Sequence, residues 1–122
     1  MNHDPHSLVG FFVTEVGIRQ AWPFVTFTSN SGTMTATELR LYIDTTCEVI
    51  PPPPFVVGLA AEEPASALSS LLEVLNLTVN AVTVADNGDL VLGFVGGVTL
   101  RVSGTSSAWT THDAWWLGDQ RA

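Results

Sequence analysis

Three places in the chain bring together side chains able to do chemistry. His3-Asp4-Pro5-His6 sets two imidazoles and a carboxylate within four residues, a pairing suited to borderline-soft metals. A stable metal site needs three or four preorganised ligands, and this stretch sits in a polar terminus expected to fray. His112-Asp113 is a second imidazole–carboxylate pair, and a general base also needs a nucleophile and an orienting group. Ser103, Thr105, Ser106 and Ser107 lie near it, but none sits in a G-x-S-x-G elbow. Neighbours on a strand diverge to opposite faces, so the pair reads as a solvated loop. Cys47 is followed by Glu48, whose charge disfavours the thiolate and leaves the thiol passive. The glycines at 93–97 lack the Lys and following helix of a phosphate loop. No catalytic residue, no cofactor and no metal site is therefore expected, and the chain is not read as an enzyme.

Surface character remains. Twelve acidic residues face four Arg and no Lys, leaving a net charge of −8. That balance repels phosphate backbones and anionic lipid, so neither nucleic acid nor membrane is an expected partner. It favours a basic protein partner, whose approach a negative field accelerates. Trp22, Trp109, Trp115 and Trp116 are the other notable set; indoles serve small β cores and interface hot spots alike. Adjacent Trp115 and Trp116 must point to opposite faces of a strand. The outward one, with Trp109 and Asp113 near it in sequence, is the expected contact surface.

These residues need a scaffold, and 122 residues suffice for one domain with a single core. Apolar residues make up 46% of the chain and charged ones 13%, a composition that folds. A lone Cys excludes an internal disulfide, and no leader or long apolar run is apparent, so the expected location is cytoplasmic.

Val79–Val102 organises the rest. Asp86-Asn87-Gly88 and Gly96-Gly97 supply turn residues tolerant of positive φ. Leu90, Leu92 and Phe94, then Val98, Leu100 and Val102, alternate with other residues, predicting a meander with one apolar face. Upstream, Phe11–Ile18 reads as a strand, Ala21-Trp22-Pro23 as an interruption and Phe24–Thr28 as its resumption. Across Thr33–Ile43 the apolar phase shifts between Met34, Ala36 and Leu39, Leu41, Ile43, which places a bulge or break near Thr37-Glu38. Pro51–Pro54 predicts a polyproline II spacer.

One helix is expected over Pro64–Leu75. Glu62 and Glu63 precede it, and Leu68, Leu71, Leu72 and Leu75 recur at helical spacing. Those leucines should be buried against the meander, making Leu72→Ala costly.

The two halves also resemble each other. Val16-Gly17-Ile18 aligns with Val82-Thr83-Val84, Phe27 with Phe94, and Gly32–Thr35 with Gly97–Leu100. The predicted fold is α+β: mainly antiparallel sheet from two β-meander halves, a possible pseudo-repeat, with one principal helix packed on the sheet. Residues 1–122 form a single domain, with 1–7 frayed and 51–54 spacing the halves.

Asn87-Gly88-Asp89-Leu90-Val91-Leu92-Gly93-Phe94, then Gly97, Leu100 and Val102, and finally Ala114-Trp115-Trp116-Leu117-Gly118 resemble a family of small β-rich actinobacterial proteins of uncharacterised activity. The resemblance covers roughly the last third of the chain and, more weakly, the first. Some such proteins look like immunity proteins kept beside secreted toxins, which implies an inhibitor of a partner and carries no catalytic residue over. The resulting expectation is a non-enzymatic protein-binding module, of immunity type, for a basic partner. A self-associating homodimer and a small-ligand carrier are the alternatives.

Overall fold

The structure is a computed structural model describing residues 3–20, 22–29, 37–51, 64–106, 110 and 113–119. Its strands are β1 (Phe12–Arg19), β2 (Trp22–Thr28), β3 (Glu38–Ile43), β4 (Cys47–Ile50), β5 (Val79–Val84), β6 (Leu90–Phe94), β7 (Thr99–Val102) and β8 (Trp115–Asp119). The one α-helix among the described residues, α1 (Pro64–Leu71), precedes β5. The described residues are thus β-rich, forming two antiparallel four-stranded sheets with a short helix.

The first sheet has the order β1-β2-β3-β8 and the second β4-β7-β6-β5. Each holds a consecutive three-strand meander, as the alternation predicts, and takes its fourth strand from the other half of the chain. β4 leaves the first meander to pair with β7, and β8 leaves the second to pair with β3. The sheets meet at one corner, where an isolated bridge links Phe12 to Thr78. There Val13 N–H donates to Leu77 O at 3.0 Å and Val79 N–H to Phe11 O at 2.8 Å.

Alternation accounts for the core. Val13, Val25, Phe27, Leu39, Leu41, Ile43 and Leu117 from the first sheet join Val79, Leu90, Leu92, Phe94, Leu100 and Val102 from the second in one cluster. Positive φ occurs at Gly88, Gly96 and Gly97, the turn positions that require it. Both first strands carry an irregularity one residue after their opening core valine. It lies between Val13 and Glu15 in β1, and between Val79 and Ala81 in β5.

Trp22-Pro23 does not interrupt the strand; it opens β2. Pro23 pairs with Ile18 of β1, while the β2–β3 register begins only at Phe24. The missing N–H thus falls where the ladder toward β3 has not begun. β3 begins at Glu38, and the stretch before Thr37, on the other side of the expected break, lies outside the described residues. Met34, Ala36, the aligned Gly32–Thr35 and Pro52–Pro54 lie outside the described residues. Within the segment expected to fray, Pro5–Leu8 forms a 3-10 turn. Leu8 is fully buried, and His3 N–H donates to Leu117 O at 2.8 Å.

The helix departs from its expected extent. It ends at Leu71, and Leu72–Val74 continues as a 3-10 turn. Three residues per turn set Leu71 and Val74 on one side and Leu72 and Leu75 on the other. Leu71 and Val74 are buried, whereas Leu72 is 54% and Leu75 36% exposed; Leu68 is half-buried. α1 also touches β1, β2 and β4, so it contacts both sheets rather than lying across one.

Candidate functional site

Strand alternation turns a second row of residues away from the core. In the first sheet, Gly17 pairs with Phe24, Phe24 with Tyr42, and Tyr42 with Trp116. The row crosses all four strands on the outer face, and three of its four positions are aromatic. Tyr42 stacks on Trp116, with centroids 5.0 Å apart and planes at 19°. Phe24 leans toward Tyr42 at 6.3 Å, and Trp22 meets Trp116 edge-to-face at 5.4 Å and 85°. Such offset and T-shaped pairs are favourable beyond the area they bury. Gly17 makes room at the end of the row, since a Cβ there would lie 2.7 Å from Phe24 Cζ.

The adjacent row is polar and pairs Glu15, Thr26, Arg40 and Gly118. Arg40 Nη2 donates to Glu15 Oε1 at 2.9 Å, and Arg40 Nε to Thr26 Oγ1 at 3.1 Å. Thr26 Oγ1 donates onward to Glu15 Oε1 at 3.1 Å. The guanidinium lies 4.0 Å above the Phe24 ring, a cation–π contact. Arg40 is therefore committed to the fold. At the β1–β2 end of the face, Arg19, Gln20, Trp22, Tyr42 and Trp116 line a cleft of about 170 Å³.

The second sheet provides a comparison. Its central outer row pairs Thr83, Val91, Arg101 and Glu48, with no aromatic among them. The strand architecture itself thus does not call for rings on an outer face.

Trp116 belongs to the aromatic row, whereas Trp115 packs against the core and donates its Nε1–H to Gly88 O at 2.9 Å. Asp113 is exposed just before β8. Trp109 and His112 lie outside the described residues. The sequence reading missed Trp22, Phe24 and Tyr42 as partners of Trp116. A signal for them exists: Trp22–Phe27 and Leu39–Ile43 carry large residues in both phases, which marks strands with both faces covered.

The other candidate groups are tied down locally. Asp4 accepts from His6 N–H and contacts His6 Nδ1, both at 3.0 Å. The backbone bond, then the imidazole, hold its carboxyl below the usual range. Among the described residues no group of three His, Cys, Asp or Glu is placed to hold a metal ion. Burial, then the neighbouring Glu48, pushes the Cys47 thiol up to about 12, which disfavours the reactive thiolate. Among the described residues no helix is long and apolar enough to cross a membrane.

Asp89 anchors a structural knot. It accepts from Gly104 N–H at 2.8 Å and from Arg101 Nη2 at 2.9 Å. Those bonds, the Gly104 N–H foremost, hold its carboxyl below its ordinary value. No family model, curated protein or solved structure matches the chain.

Proposed function

We propose that this chain is a protein-binding domain without catalysis that acts in the cytoplasm. In this reading it caps a basic partner, in the manner of an immunity protein, through the outer face of its first sheet. The observation that carries the reading is the pair of part-exposed indoles, Trp22 and Trp116, packed on buried Phe24 and Tyr42, on a face whose counterpart row in the second sheet has no aromatic. Half-exposed indoles around a cleft are the side chains that dominate interface energetics. Exposed Glu38, Glu48, Glu73, Asp86 and Asp113 extend a negative field that steers a positive partner toward the domain. With twelve acidic residues against four Arg and no Lys, that field is predominantly negative.

The two halves are best read as an internal duplication. Val16 opposite Val25 corresponds to Val82 opposite Leu92, and Phe27 opposite Val13 to Phe94 opposite Val79. Leu41 opposite Val25 then corresponds to Leu100 opposite Leu92. On this register Leu39–Ile43, rather than Gly32–Thr35, is the counterpart of the third meander strand. Aromatic residues on only one of two related sheets are a specialisation of that sheet.

The test is capture from a lysate of the native host with wild-type and Trp116→Ala baits, followed by kinetics on the purified partner. A basic protein held by the wild type and lost by the variant is the expected result. Recovery of the domain alone, or of a bound small molecule, would replace this reading with the homodimer or the carrier.

A further inference from the structure

We propose that Asn87 is a self-modifying residue, whose side chain cyclises onto the Gly88 nitrogen and reopens as aspartate or isoaspartate whenever the turn around Gly88 comes undone. The reaction needs no partner and is independent of the binding reading above.

The sequence supplies the reactants. Asn87-Gly88 is the one Asn-Gly pair in the chain. Asn is among the thermolabile residues, and a following glycine puts no Cβ beside the path between its nitrogen and the Asn carboxamide. Asn2, Asn30, Asn76 and Asn80 precede His, Ser, Leu and Ala, each of which carries one. Asn87 is also exposed, so hydroxide and water reach it.

The Gly88 nitrogen loses its proton to hydroxide and attacks Asn87 Cγ. A C–N bond forms, the Cγ–Nδ2 bond breaks, and the amide nitrogen leaves as ammonia. Water then opens the five-membered imide. Attack at the side-chain carbonyl gives aspartate, and attack at the main-chain carbonyl gives isoaspartate, with an extra methylene in the backbone. Either product adds one negative charge to a chain already at −8.

The fold withholds the nucleophile. Gly88 N–H donates to Ala85 O at 2.9 Å. Removing that proton is the same step as in amide hydrogen exchange, which such a bond blocks until the segment opens. The imide has no hydrogen on this nitrogen, so the ring and the Gly88–Ala85 bond exclude each other. The electrophile is held as well, because Asn87 Oδ1 accepts from Asp89 N–H at 3.1 Å. Beyond it, the Gly88 carbonyl accepts from Trp115 Nε1–H at 2.9 Å, and Asp89 accepts from Gly104 N–H at 2.8 Å. An isoaspartate lengthens the chain inside this set of bonds, so a modified turn cannot close as before.

The experiment incubates the intact protein, and the same chain unfolded in urea, in mildly alkaline buffer. Peptide mapping follows conversion of Asn87, and enzymatic carboxyl methylation counts isoaspartate. NMR of the folded ¹⁵N-labelled protein reads exchange of the Gly88 amide. In the unfolded chain, Asn87 should convert ahead of every other asparagine. In the folded protein, conversion should slow by the same factor that protects the Gly88 amide from exchange, about tenfold or more. Trp115→Phe removes the indole donor and keeps a ring, and Asp89→Ala removes the acceptor of the Gly104 bond. Whichever variant remains folded should speed exchange and conversion together.

An unfolded chain that leaves Asn87 intact would overturn the assignment. Conversion as fast in the folded protein as in urea, or slowed far less than exchange, would show that the ring closes within the turn and would overturn the gate. Slowing far beyond the exchange protection would place the gate elsewhere and overturn it too. If neither variant folds, the two wild-type rates decide alone.

Discussion

Asp89 carries the clearest dependence on solution conditions. Its carboxylate joins the β5–β6 turn to the segment after β7 through Gly104 N–H and to the sheet through Arg101. Because its folded pKa is depressed, its contribution is fully present above the unfolded value near 4. It is lost as pH falls through the lower folded value. Urea melts of wild type and Asp89→Asn should therefore keep their full difference at pH 6 and draw together only as pH falls from about 4 through the lower folded value. A difference that stays constant with pH would show that the bonds do not act through charge. Gly104 belongs to the same knot for a steric reason. A Cβ there would sit 2.2 Å from the Gly88 carbonyl carbon, and backbone cannot swing aside as a side chain can. Gly104→Ala should cost about 1–3 kcal/mol, the range for overpacking, read as a lower urea midpoint. An unchanged midpoint would mean the two loops separate freely.

The strands were the most legible elements, because alternation survives in short segments. Leu90, Leu92, Phe94, Leu100 and Val102 could be assigned inward from spacing alone, and all are buried. The helix was legible in place but not in extent. Leu68, Leu71, Leu72 and Leu75 fit a period of 3.6 residues, and nothing local announces the tightening to a 3-10 turn after Leu71. That change is imposed by the entry into β5, where Asn76 N–H donates to Val13 O, a contact across 63 positions of sequence. The two neighbouring leucines now separate cleanly. Leu71→Ala should cost about 2–5 kcal/mol as a core truncation, and Leu72→Ala within about 0.5 kcal/mol as a surface change. Equal losses in denaturant melts would contradict the helix end described above. The aromatic face was half legible. Trp116 stood out by its neighbour Trp115, but its meeting with Trp22 and Tyr42 depends on β8 pairing with β3, a long-range choice that residue spacing cannot express.

For the molecule as a whole, charge and aromatic surface should act on different rate constants. Reversing exposed Glu38 and Asp113 to Lys should slow association with a basic partner and leave dissociation nearly unchanged. The effect should fade as salt shortens the Debye length from about 10 Å at 0.1 M to about 3 Å at 1 M. Trp116→Ala should mainly speed dissociation. Stopped-flow traces at both salt concentrations separate the two, and a salt-independent association rate would refute the steering. The exchange of β4 and β8 between the sheets has a different consequence. A cut in the connection between β4 and α1 would yield two fragments, each holding one meander and the outer strand of the other. Neither could close its own sheet, since β3 would lose β8 and β7 would lose β4. Each fragment alone should remain an open, aggregation-prone chain. Mixed in equal amounts, the pair should reassemble without a covalent link, as a heterodimer whose formation rate depends on the concentration of both.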